Sequence, residues 1–103
     1  MRCVLPDNTE EVLKIAKALT NQVRLNIIQH LCTKEMSVKE LHRVVTGVKY
    51  RDAIYRHLEL LKTVGLLDKF YDDRTKELKY KLAQDSITIV FGSRSSANMR
   101  ARQ

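Results

Sequence analysis

Between Lys49 and Leu82 the chain places cations and phenols at spacings that suit a polyanion. Lys49, Tyr50, Arg51, Tyr55, Arg56, His57 and Lys62 fall on a stretch whose apolar residues Ile54, Leu58 and Leu61 recur at helical spacing. Arginine can pair bidentately with guanine O6 and N7, worth ~1–3 kcal/mol of discrimination. Tyrosine hydroxyls can reach phosphate, and their rings can pack on a thymine methyl. Lys49 and Lys62, at the ends of the stretch, suit phosphate, which adds affinity without sequence information. His57 suits packing or a phosphate hydrogen bond. A second group, Lys69, Arg74, Lys76 and Lys79 (with Lys81), lies on alternating segments around Asp72–Glu77 and suits the duplex backbone. Asp72 and Asp73 weaken the field at that turn. The plainer alternatives are a solvated helix face and an exposed hairpin whose lysines discourage edge pairing.

Other chemistries find less. His30 and Cys32 are two apart on a helical run and diverge, so they chelate poorly. A metal bridging subunits through Cys3, Cys32 or His42 is the weaker reading, and no metal or cofactor is expected. Three glycines (Gly47, Gly65, Gly92) build no phosphate-cradling loop, and no nucleophile–base set is suggested, so an enzyme is not expected.

The elements that must position the cations follow from caps and periods. Asn8 or Thr9 starts a first helix carrying Val12, Ile15, Ala16 and Leu19, with Leu13 off that stripe. Asn21 caps a second, to about Cys32, with Leu25, Ile28, Leu31 and Cys32 as its stripe and Ile27 beside it. Ser37-Val38-Lys39-Glu40 is a capping box for a short third helix ending near Val45. Thr46-Gly47-Val48 is a tight turn, and a fourth helix runs over about 50–64 to a Gly65 C-cap. Two short helices across a glycine turn form a helix-turn-helix with the second as reader; Tyr50, Arg51, Tyr55, Arg56 and Glu59 fall to its outer face and flanks. Residues 66–82 then read as a hairpin wing. Ser86–Phe91 is apolar and β-branched, a third strand or an interface segment. The fold class is α+β, mostly α: four helices, a β-hairpin and an apolar C-terminal segment. Residues 1–91 are expected to form the DNA-binding and dimerisation domain, and residues 92–103 to be a basic, flexible tail.

A chain of 103 residues fits one domain with a modest core. Net charge is +7, of which residues 1–36 supply +1 and residues 37–103 supply +6, which favours a polyanionic partner. No apolar run approaches the ~18 residues of a membrane span, so no membrane partner is expected. Two cysteines make no disulfide framework, and an intracellular, cytoplasmic protein is the expectation.

Several motifs in order, Ala18-Leu19-Thr20-Asn21-Gln22-Val23-Arg24-Leu25, Met36-Ser37-Val38-Lys39-Glu40-Leu41, Tyr55-Arg56-His57-Leu58, Val64-Gly65-Leu66-Leu67 and Lys79-Tyr80-Lys81-Leu82, resemble the ArsR-type winged helix-turn-helix repressors over roughly residues 12–82. The resemblance implies a homodimer on a two-fold symmetric double-stranded DNA site, joined through the first helix and the C-terminal segment. Val12, Leu13 and Ile15, with Ile87, Ile89 and Phe91, are then interface candidates. The chain departs from that family in three places. The turn before the reader is one residue longer and opens on Tyr50-Arg51-Asp52. The Cys-x-Cys of the family's metal sensors is replaced by His42-Arg43-Val44. The usual closing helix is replaced by a strand-like Ser-Ile-Thr-Ile-Val-Phe. Two alternatives share the scaffold: a protein-docking module, which needs exposed apolar residues on the reader, and a cysteine redox or metal-responsive regulator, which needs a reactive Cys3 or Cys32.

Overall fold

The computed structural model describes residues 1–91; the stretch 92–103, read above as a tail, lies outside the described residues. The order is β1 (Arg2–Val4), α1 (Thr9–Leu19), α2 (Gln22–Leu31), α3 (Val38–Val44), α4 (Arg51–Thr63), β2 (Leu67–Asp72), β3 (Glu77–Leu82) and β4 (Thr88–Val90).

Local chemistry sets most of the boundaries. Asn21 Oδ1 accepts from the Arg24 amide at 3.1 Å and starts α2. Both halves of the capping box are present at α3: Ser37 Oγ accepts from the Glu40 amide at 3.2 Å, and Glu40 Oε1 accepts from the Ser37 amide at 2.9 Å. α4 ends one residue before Val64, and Gly65 takes φ +89°, the left-handed C-cap that a side chain would resist. Asn8 precedes α1 without a side-chain cap bond.

The core gathers Ile27 and Leu31 of α2, Leu41 of α3, Ile54, Leu58 and Leu61 of α4, and Leu67 and Tyr80 of the hairpin. The three α4 residues lie at i, i+4 and i+7, so one stripe pins the helix and leaves the opposite face outside. β2 and β3 pair antiparallel from Leu67↔Leu82 to Asp72↔Glu77. Met36 joins Tyr80 by two backbone bonds (2.8 and 3.2 Å), which ties the loop before α3 to the root of the hairpin.

Four expectations change. Of the apolar stripe read on α2 (Leu25, Ile28, Leu31 and Cys32), Leu31 is buried and Ile28 half-buried, but Leu25 and Cys32 are exposed and Ile27, read beside the stripe, is fully buried. Ala16 is exposed, and Ala18 takes the core position on α1. The link between α3 and α4 is six residues, Val45–Tyr50, rather than three, because Val45 already leaves the helix at ψ 124° and Tyr50 is extended at ψ 145°. The segment 86–91 contains a strand, but β4 does not join the hairpin. It pairs in parallel with β1, Cys3 opposite Ile89, so Arg2–Val4 of the expected lead-in becomes half of a small second sheet, and residues 5–7 form a turn rather than extended chain.

Candidate nucleic-acid interface

The outer face of α4 carries Arg51, Asp52, Tyr55 and Arg56, all exposed, with Tyr50 exposed at its N-cap. Lys49 lies in the turn rather than on the helix, its Nζ 5.5 Å from the centroid of the Tyr50 ring. His42 Nε2 donates to the Lys49 carbonyl at 3.0 Å, so α3 holds the turn that presents both residues. Among the described residues, Arg51, Arg56 and Lys49 enter no ion pair. On α3, Lys39 and Arg43 are exposed as well. Sequence reasoning missed them, although the inward Val38, Leu41 and Val45 already left positions 39 and 43 outward at i, i+4.

Lys62 and Lys69, also predicted to meet DNA, are compensated. Glu59, assigned above to the outer face, is a hub between α4 and the hairpin. Its Oε1 lies 3.0 Å from Lys62 Nζ, its Oε2 lies 3.2 Å from Lys69 Nζ, and Oε2 also accepts the Tyr80 hydroxyl. That hydroxyl and the two ammonium groups hold its carboxyl at about 2, well below the usual range. Burial, then the adjacent Glu59 charge, pushes the Tyr80 phenol well up. Lys69 Nζ also sits 5.3 Å from the Tyr55 ring centroid and 5.6 Å from that of Tyr80. Lys69 and Tyr80 thus tie the hairpin to α4 through Glu59, while Lys62 pairs with it within the helix.

The wing divides in the same way. Lys79 lies 3.0 Å from Asp72, with only 13% of its side chain exposed. That contact lowers the Asp72 carboxyl and raises the Lys79 ammonium. Arg74 is 93% exposed, and its Nε makes only a long ion pair with Asp72 at 4.0 Å. Its backbone amide donates to Asp72 Oδ1 at 3.0 Å and shapes the turn. Lys76 is exposed at φ +61°, the left-handed residue that closes the four-residue loop. Asp72–Glu77 holds three acids against two bases, so the tip carries no cationic excess.

His57 faces inward along the flank of α4. Arg24 Nη1 donates to its Nδ1 at 3.3 Å, and Arg24 Nε donates to the Ala18 carbonyl at 2.7 Å. A guanidinium only donates, so Nδ1 is an acceptor and the ring is neutral. Burial, then the Arg24 and Arg56 charges, lowers the His57 imidazole below its ordinary value.

Of the six interface candidates, Leu13, Ile89 and Phe91 are exposed, Phe91 at 83%, and Val12 and Ile87 are half-buried. Ile15 is 2% exposed: it packs inside its own chain and presents nothing to a second subunit, a correction to what the family resemblance implied. Cys3 is fully buried, with its Sγ 3.7 Å from Glu11 Oε1. Burial and that carboxylate push the thiol up, against the thiolate a redox sensor needs. Cys32 is exposed. Among the described residues no group of three or more His, Cys, Asp or Glu could hold a metal ion, and no helix is long and apolar enough to cross a membrane.

Four helices with a hairpin packed on the last of them define a winged helix-turn-helix domain. A scan against family models gave no match, and neither did a search of curated proteins. Solved structures did match. The ArsR-like transcriptional regulator from Rhodococcus sp. RHA1 is 25% identical, with a TM-score of 0.65 over 74% of this chain and 68% of that one. HlyU from Vibrio cholerae is 27% identical, with a TM-score of 0.64 over 79% of this chain and 84% of that one. The transcriptional regulator HlyU from Vibrio vulnificus is 26% identical, with a TM-score of 0.58 over 77% and 78%. With the ordered motifs of residues 12–82, these likenesses make the chain similar in fold to the ArsR-type winged helix regulators.

Proposed function

We propose that this chain is a transcriptional regulator that binds double-stranded DNA by sequence, as a homodimer. α4 enters the major groove, Arg51 and Arg56 read base edges, and Lys39, Arg43 and Lys49 hold flanking phosphates. Arg74 and Lys76 reach the neighbouring backbone from the wing. Leu13, Ile89 and Phe91 join the two copies, and the pair reads an inverted repeat.

The observation that carries this reading is the division of charge on α4. Arg51 and Arg56 face outward with no ion pair among the described residues; of the two acids of α4, Glu59 is taken up by Lys62 and Lys69, and Asp52 lies exposed beside the arginines without bridging to either. A docking surface would pair its charges or replace them with apolar groups; here arginines and two exposed tyrosines stand together. The regulators with the same fold support the class.

The test is selection from random-pool duplex DNA at two salt concentrations. Enrichment of an inverted repeat, with affinity falling steeply as salt rises, is the expected result. Salt-sensitive binding without enrichment would overturn sequence reading, and no binding at low salt would overturn DNA binding altogether.

A further inference from the structure

The flank of α4 turned away from the wing lines a groove of about 500 Å³ with α1 and the start of α2. Its apolar floor is Ala18, Leu60 and Val64. Its rim carries three cations, Lys14 and Lys17 of α1 and Arg24 of α2, and no acid lines it. The volume falls within the ~300–1,000 Å³ typical of small-molecule sites. The neighbouring grooves lack this combination. One, at the start of α1, sets the acids Asp7, Glu10 and Glu11 against the single side-chain cation Lys14, which disfavours anions. The other, beside Cys32, is apolar but has Asp85 and no cation on its wall.

We propose that the α1–α4 groove binds a small amphiphilic anion, of the medium-chain carboxylate class, whose head competes with His57 for Arg24. Charge complementarity fixes the sign of the head, and the Leu60–Val64 floor fixes the apolar tail. The Arg24 Nε is held by the Ala18 carbonyl, so a carboxylate draws on its Nη groups, one of which now faces His57. A carboxylate accepts from guanidinium about twice as strongly as a neutral acceptor does, and can take two parallel bonds. The contact with His57 is already long at 3.3 Å, so it is the bond that gives way. Leu60, Thr63 and Val64 line the same groove and form the end of α4, so occupancy acts directly on the reader helix. That consequence rests on the regulator reading above; the binding does not.

The test uses the full chain at pH 7.5, with decanoate titrated by calorimetry and the His57 ring followed by NMR. Decyltrimethylammonium, of equal chain length and opposite charge, is the control. One decanoate per chain is expected, with the cation at least tenfold weaker and the His57 resonances moving with saturation. Lys14→Gln with Lys17→Gln removes two exposed charges and should weaken decanoate at least tenfold with an unchanged unfolding midpoint. Leu60→Gln should weaken it through the floor. Absence of saturable binding, equal binding of the cationic amphiphile, full affinity in the lysine double variant, or saturation with the His57 signals unmoved would each overturn the proposal. Loss of DNA binding in a separate assay would refute the regulator reading and leave these results standing.

Discussion

Glu59→Gln keeps the shape of the hub and removes its charge. Between the ordinary 4.5 and about 2 in the folded chain, at ~1.36 kcal/mol per pH unit, its partners supply at most about 3 kcal/mol at pH 7. With 27% of the Glu59 side chain exposed, solvent screening brings the expected loss to about 1–2 kcal/mol. A depressed carboxyl gives stability that is complete above the unfolded value and is lost as pH falls through the folded one. The gap between wild type and variant is therefore full above 4.5 and closes toward about 2, with more than half of it gone by about pH 3. Urea unfolding at pH 7, 5 and 3.5 reads this as a shift in midpoint at constant slope. In a cycle with Tyr80→Phe, which removes the hydroxyl given to Oε2, the two changes should couple by about 0.5 kcal/mol or more. Equal midpoints at pH 7, or a gap that holds constant as pH falls, would refute the assignment of Glu59 as the tie between reader helix and wing.

Other perturbations separate other parts of the account. Ser37→Ala removes one half of the capping box at a 3%-exposed site and should cost about 1 kcal/mol by urea titration; a loss under ~0.3 kcal/mol would mean that the box does not hold α3. Lys76→Gly removes a wing charge at a left-handed position where glycine is favoured, so thermal stability should hold or rise while affinity for all duplexes falls together. A drop in stability would mean that the Lys76 side chain, not its backbone, closes the loop. His57 is neutral in the folded chain and its imidazole is lowered, so the unfolded chain takes up the proton first. Stability is then full above about 6.5 and declines as pH drops below it. His57→Gln should flatten that slope between pH 5 and 7, and an unchanged slope would exclude His57 as its source.

The helices, the hairpin and the outward arginines were legible because each follows from local signals: Asn21 and Ser37 as caps, Gly65 as a stop, and Ile54, Leu58 and Leu61 at helical spacing. What escaped depends on distant chain. Glu59 does sit on the side of α4 away from Ile54 and Leu58, but β3 brings the Tyr80 hydroxyl to it from 21 residues on. The same return of chain pairs Lys69, so a cation that looked free is spent internally. The parallel pairing of Arg2–Val4 with Thr88–Val90 joins opposite ends of the described chain, and three apolar or β-branched residues carry no mark of their partner. On α2, Ile27 lay beside the Leu25–Ile28–Leu31 stripe and proved to be its centre, because a ten-residue helix with apolar residues on two faces does not show which one its neighbours cover. Ile15 was given to a subunit interface by family likeness, yet the chain's own packing had already claimed it.

The central claim is that α4 reads sequence through Arg51 and Arg56. Its most direct test is the ratio of affinities for the selected inverted repeat and for a scrambled duplex, measured at one fixed salt concentration for wild type, Arg51→Ala and Arg56→Ala. Loss of a bidentate base contact worth ~1–3 kcal/mol should lower that ratio about 5- to 150-fold, while affinity for the scrambled duplex changes only a few-fold. A ratio unchanged in both variants would contradict the account, whatever the affinities themselves did.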